Sequence, residues 1–127
     1  MNRCLIVDDS SVIRKVAKRI IASRGITVIE AATAQEALRY CRMDMPETII
    51  ADITLPDMET RDFISQVRAI KGRVRPVVSV LINEMDVTTV MRCKRAGADA
   101  HMFKPFNREL LLRRLDDIFA EQQAKAA

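Results

Sequence analysis

Short apolar runs alternate with amphipathic stretches along this chain. The runs fall at residues 4–7, 26–29, 48–52, 77–82 and, shorter, 100–103. They lack the clean period of two that marks a half-exposed strand, so they predict strands covered on both faces. Between them apolar residues recur at helical spacing. Ile13, Val16, Ala17, Ile20 and Ile21 mark a first helix, and Ala37, Leu38 and Cys41 a second. Phe63, Ile64, Val67 and Ile70 mark a third, Val87, Val90 and Met91 a fourth, and Leu111, Leu112, Leu115, Ile118 and Phe119 a fifth.

The punctuation agrees. Ser10 or Ser11 can cap the first helix, Thr33-Ala-Gln-Glu36 reads as a capping box, and Asn107 can cap the last helix. Gly25, Gly72 and Gly97 each follow a predicted helix, where a left-handed residue is useful. All four prolines lie at strand boundaries. Five β-α units without a repeat or linker predict one domain over residues 1–122, with a short, fraying tail at 123–127. Right-handed crossovers make this a doubly wound α/β parallel sheet.

Composition narrows the function classes. Trp is absent and Tyr single, which disfavours an aromatic platform for single-stranded nucleic acid. Lys and Arg number 21 against 17 Asp and Glu, a surplus of +4 that favours acidic partners without indicating DNA binding. Cys4, Cys41 and Cys93 lack zinc-ligand spacing, and their odd number without a secretion signal predicts reduced thiols in a cytoplasmic protein. No apolar run approaches the ~20 residues of a membrane span.

Candidate chemistry lies at the strand ends. In a doubly wound sheet the site lies beyond the carboxyl ends of the strands. Asp8, Asp9, Asp52 and Lys104 all fall there. Alone, an Asp-Asp pair is an ordinary capping turn and Lys-Pro an ordinary loop; as an ordered set they converge on one cleft. Three carboxylates held together repel and call for a cation. Oxygen donors without His or thiolate favour Mg²⁺. Lys104 adds a compact charge able to grip a phosphoryl oxygen. The set suits phosphoryl transfer onto a carboxylate, Asp52.

The stretches Leu5-Ile-Val-Asp-Asp-Ser10, Ile50-Ala-Asp-Ile-Thr-Leu-Pro-Asp57, Ala96-Gly-Ala-Asp99 and Lys104-Pro-Phe106 resemble the receiver domain of two-component response regulators. The resemblance covers nearly the whole chain. It implies a flavodoxin-like fold with sheet order 2-1-3-4-5. It implies Asp52 as phosphoacceptor; Asp9, Asp52 and the Thr54 backbone carbonyl as Mg²⁺ ligands; and Asp8 as support for the metal through water. Lys104 would pair with the phosphoryl group, and its bond to Pro105 would be cis. The donor would be a phosphohistidine on a histidine kinase or a phosphotransfer protein. The chain would catalyse only its own phosphoryl transfer and dephosphorylation, and is not expected to be an enzyme otherwise. It is expected to be a stand-alone receiver whose output is altered protein binding.

Two departures complicate that output. Receivers carry Thr or Ser at the end of the fourth strand. Here the position falls on Ile82 counted from Asp52 or Gly97, and on Leu81 counted from Pro76. Asn83 follows, bulkier and more polar than the small residue usual there. His101 stands three before the Lys, where the family places a rotating aromatic, and could also sense pH. The basic set Arg92, Lys94, Arg95 and Arg108, with Arg113 and Arg114, falls on the helix 4–strand 5–helix 5 face. It suits an acidic protein surface or an anionic nucleotide, and the sequence does not choose. The alternative function is a pseudo-receiver scaffold, or a phosphorelay shuttle whose partner binding ignores the usual switch. An aspartyl-phosphate phosphatase is disfavoured because Thr54 stands where its general acid would be.

Overall fold

The computed structural model describes residues 2–126. Five strands, β1 (Arg3–Val7), β2 (Thr27–Ala31), β3 (Thr48–Asp52), β4 (Val77–Ile82) and β5 (Ala100–Phe103), form one parallel sheet in the order 2-1-3-4-5. The helices are α1 (Ser11–Ala22), α2 (Ala34–Met43), α3 (Thr60–Ala69), α4 (Val87–Ala96) and α5 (Arg108–Ala126). Successive strand residues point to opposite faces. Leu5, Val7, Ile49, Ala51, Val78, Val80 and Ile82 therefore pack under α2, α3 and α4. Cys4, Ile6, Ile50, Leu81, Ala100 and Met102 pack with residues of α1 and α5.

The caps form as the sequence predicts, with one variation. Ser10 Oγ accepts from the Ile13 amide at 3.3 Å, and Asn107 Oδ1 from the Leu110 amide at 2.8 Å. Thr33 Oγ1 accepts from the Glu36 amide at 3.1 Å, but Glu36 Oε1 reaches the Ala32 amide, one residue before the cap. The Lys104–Pro105 bond is cis.

Several expectations are corrected. Val16, Val87 and Met91 are exposed; α1 buries Ala17, Ile20 and Ile21, and α4 buries only Val90 and Cys93. At 3.6 residues per turn, Val87 and Met91 sit roughly a quarter to a third of a turn from the Val90–Cys93 line. Gly25 and Gly97 have positive φ, whereas Gly72 does not, because Ile70 caps α3 in an extended conformation. α5 runs on through residues 123–126, and Ala127 lies outside the described residues.

The amino ends of β4 and β5 are tied by one side chain. Arg68 donates to the carbonyls of Gly97 (3.1 and 2.7 Å) and Pro76 (2.8 Å) and pairs with Asp99 (3.0 Å). Asp99 also accepts from the Val78 amide at 2.9 Å. Gly97, at φ 122°, lies against Arg68: an added Cβ would meet Arg68 Cγ at 2.8 Å. Because Arg68 is held by these bonds it cannot step aside cheaply. Gly97→Ala should destabilise the fold by about 1–3 kcal/mol, read as a lower denaturation midpoint with unchanged slope.

Candidate functional site

Three strand ends bring the predicted charged set together. β1 delivers Asp8 and Asp9, β3 ends on Asp52, and the β5–α5 turn carries Lys104. One carboxylate oxygen from each of Asp8, Asp9 and Asp52 lies within 4.8 Å of the others. Asp8 is fully buried, Asp52 is 7% exposed and Asp9 faces solvent. Lys104 Nζ bridges the two buried acids, at 3.2 Å from Asp8 Oδ2 and 3.0 Å from Asp52 Oδ2.

The backbone shares the load. The Ser10 amide donates to Asp8 Oδ1 at 2.8 Å, and the Thr54 amide donates to Asp52 Oδ1 at 3.3 Å. The buried hydroxyl of Thr60 donates to the Asp52 carbonyl at 2.8 Å. Arg14 fixes Asp8 from behind, donating to its carbonyl at 2.7 Å and to Glu30 Oε1 at 3.1 Å. Asp57 leaves the β3–α3 loop to accept from the amides of Ala34 and Gln35, both at 2.9 Å. The sequence assigned no site role to Arg14, Asp57 or Thr60. Their signals were present but bland: an arginine on a helix, an acid after Pro56 and a threonine opening a helix.

Electrostatics follow from the count of charges. Burial raises the Asp8 pKa, and the charge of Asp52 adds to it; the Ser10 amide and Lys104 oppose without prevailing. Burial alone would lower the Lys104 pKa, but hydrogen bonds and charge from Asp52 and Asp8 outweigh it and raise it. One ammonium thus serves two buried carboxylates with a third beside them. Such a cluster of hard oxygen donors, with negative charge in excess and no thiolate or imidazole, fits Mg²⁺.

The end of β4 is hydrocarbon. Asp52 stands opposite Leu81, and the Ile53 amide donates to the Leu81 carbonyl at 2.9 Å. Leu81 and Ile82 are both buried, Leu81 toward α1 and α5 and Ile82 toward α3 and α4. Either way of counting therefore ends on an aliphatic side chain. Ser79 is buried two residues earlier, and its hydroxyl has no partner among the described residues. Asn83 and Glu84 are exposed beside Thr54, on the wall of a 260 Å³ cavity.

His101 is partly buried and sits edge-on to Phe103, with ring centroids 5.7 Å apart. Its Nδ1 is buried without a partner among the described residues, and its carbonyl accepts from Arg114 Nε at 2.9 Å. Burial, then the charges of Arg114 and Lys94, lower the imidazole pKa. Arg92, Lys94, Arg95 and Arg108 are all exposed and form no ion pair among the described residues.

A family model for the response regulator receiver domain matches residues 4–116. The transcriptional regulatory protein KdpE of Mycobacterium tuberculosis is 33% identical over 115 residues, 91% of this chain and 50% of that protein. Sporulation initiation phosphotransferase F of Bacillus subtilis is 26% identical over 105 residues, 83% of each chain. The chain spans about half the length of the first curated relatives it matches. The chemotaxis response regulator CheY4 of Vibrio cholerae superposes with TM-score 0.80 and 28% identity, covering 93% of this chain and 98% of that one. A CheY-like receiver domain protein from Methanospirillum hungatei superposes with TM-score 0.85 and 29% identity, covering 98% of both. The 2-1-3-4-5 sheet is their flavodoxin-like fold.

Two measurements test this geometry. Mg²⁺ should raise the melting temperature, by the equivalent of about 2.7 kcal/mol at one hundred times its dissociation constant. Asp9→Asn should remove most of that gain. The Arg14–Glu30 brace should also carry a pH signature. The hydrogen bond from Lys15, and then that from Arg14, lower the Glu30 pKa against the opposing effect of burial. A carboxylate with a lowered native pKa contributes stability above its unfolded pKa, near 4.3, and loses it as pH falls through the native value. Acid melts should show that loss, and Glu30→Gln should abolish it.

Proposed function

This chain belongs to the response regulator receiver domain family, and from that premise we propose that Asp52 accepts a phosphoryl group from a phosphohistidine. The donor is a histidine kinase or a phosphotransfer protein in the cytoplasm. The observation that carries the reading is the ammonium of Lys104 held 3.0 Å from the Asp52 carboxylate at the mouth of an acidic cluster. An Asp52 oxygen attacks phosphorus as the P–N bond breaks. The electron pair stays on the imidazole nitrogen, which leaves as neutral imidazole when its other nitrogen carries a proton. Lys104 is placed to follow the transferred oxygens and balance their charge. Mg²⁺, held by Asp9, Asp52 and the Thr54 carbonyl with Asp8 in support, would supply further charge neutralisation on the phosphoryl oxygens. Catalysis extends only to the chain's own phosphorylation and hydrolysis. The output is altered binding to another protein, with Arg92, Lys94, Arg95 and Arg108 supplying charge on the α4–β5–α5 face.

A second reading is favoured by the buried Leu81 and Ile82. A hydrogen bond to a charged group contributes about 1.5–3 kcal/mol, and no hydroxyl at the end of β4 can supply one to the phosphoryl group. Phosphorylation tolerates that loss better than switching does. The second reading is therefore a phosphorelay shuttle, or a scaffold whose partner binding does not follow phosphorylation.

Phosphoramidate with Mg²⁺ should give a single acid-stable, base-labile adduct by intact mass, absent in Asp52→Asn. Lys104→Ala should slow its formation about 10²-fold. No adduct on the native protein, or one that persists in Asp52→Asn, would overturn the acceptor assignment. Partner affinity unchanged by the adduct would select the second reading.

A further inference from the structure

The hydrogen bonds leaving Asp52 run mainly into one loop. Its side chain accepts from the Thr54 amide and its carbonyl from the Thr60 hydroxyl, at the two ends of the β3–α3 connection. Thr54 and Glu59 pair as an antiparallel bridge between them, closing the loop on itself. The loop is then fastened outward through Asp57. Its two carboxylate oxygens take one amide each from Ala34 and Gln35, the first residues of α2.

The route toward β4 and β5 is poorer. Leu81 and Ile82 offer no side-chain hydrogen bond, and Lys104 is the only polar side chain joining Asp52 to the β5–α5 end among the described residues. His101 has no hydrogen bond from its ring to any described residue.

We propose that phosphorylation of Asp52 is transmitted to the start of α2 through the 53–59 loop, with Asp57 as the link. This inference rests on Asp52 being the acceptor. A phosphoryl group adds about −1.5 to −2 charge and three strong acceptor oxygens. The Thr54 amide, held at 3.3 Å by Asp52 Oδ1, is the donor least committed to its present partner. It turns to a phosphoryl oxygen, and the closed loop moves with it. Asp57 cannot follow without shifting the α2 amides, because both of its oxygens are engaged and the helix N-terminus favours its charge. Ser10 caps α1 from within its own turn, and Asp86 caps α4 likewise; α2 alone among those three helices is capped in part from the acceptor's loop. The state-dependent surface is therefore the corner of Gln35, Pro56, Asp57 and Glu59, all exposed.

The test uses backbone amide NMR of the full chain, with phosphoramidate and Mg²⁺ added and the adduct checked by intact mass. The Ala34 and Gln35 resonances should shift with adduct formation. In Asp57→Ala the adduct should still form while those shifts are lost. Asp57→Asn, which keeps an acceptor oxygen, should retain part of them, and it takes over the test if the alanine variant does not fold. An adduct that leaves Ala34 and Gln35 unmoved, or moves them equally in the Asp57 variants, overturns the link and spares the acceptor assignment. Absence of any adduct on the native protein overturns both.

Discussion

Like charges crowded at adjoining strand ends set the terms for this molecule. Asp8 and Asp52 are buried and share one ammonium, while Asp9 stands beside them without it. Such a cluster is costly unless the scaffold holds it rigidly, and the scaffold does so with main-chain groups. Amides from Ser10 and Thr54 meet the carboxylates, while Arg14 and Thr60 grip the carbonyls of the same two residues. The parallel sheet makes the convergence possible, because every strand releases its last residue at the same edge. The residual excess of negative charge is what makes these oxygen donors fit a cation.

Much of this was legible in the residues. Five short apolar runs without clean alternation suggested covered strands, which holds for the central ones but less for the edge strands β2 and β5. The β-α units suggested a doubly wound sheet, while its strand order was implied by the resemblance to receivers. The carboxylates and Lys104, ordinary one by one, were visible because they fall together at the carboxyl ends of three predicted strands. The end of β4 was legible too, since Leu81 and Ile82 are both aliphatic and the uncertain register did not matter. What escaped was of two kinds. Helical spacing on α4 could not tell which of several apolar residues faced inward, because the helix buries only Val90 and Cys93. The brace residues escaped because Arg14, Thr60 and Asp57 act on backbone groups 6, 8 and 23 residues away, outside any helix or strand period.

The aliphatic end of β4 and the well-bonded β3–α3 loop bear on each other. Most of the polar contacts to Asp52 lie on the β3 side, and Lys104 alone reaches it from the β5–α5 turn among the described residues. The exposed cations of α4 and α5 remain available for binding, but none of them is hydrogen-bonded to Asp52 or to Lys104 among the described residues. Binding charge and signal route need not share one face.

Arg68 sets a mechanical asymmetry. By stitching α3 to the carbonyls of Pro76 and Gly97 and to Asp99, it bolts down the pole of the sheet farthest from the acidic cluster. Three elements, α3 and the starts of β4 and β5, thus share one guanidinium, and its removal would uncouple them at a single stroke.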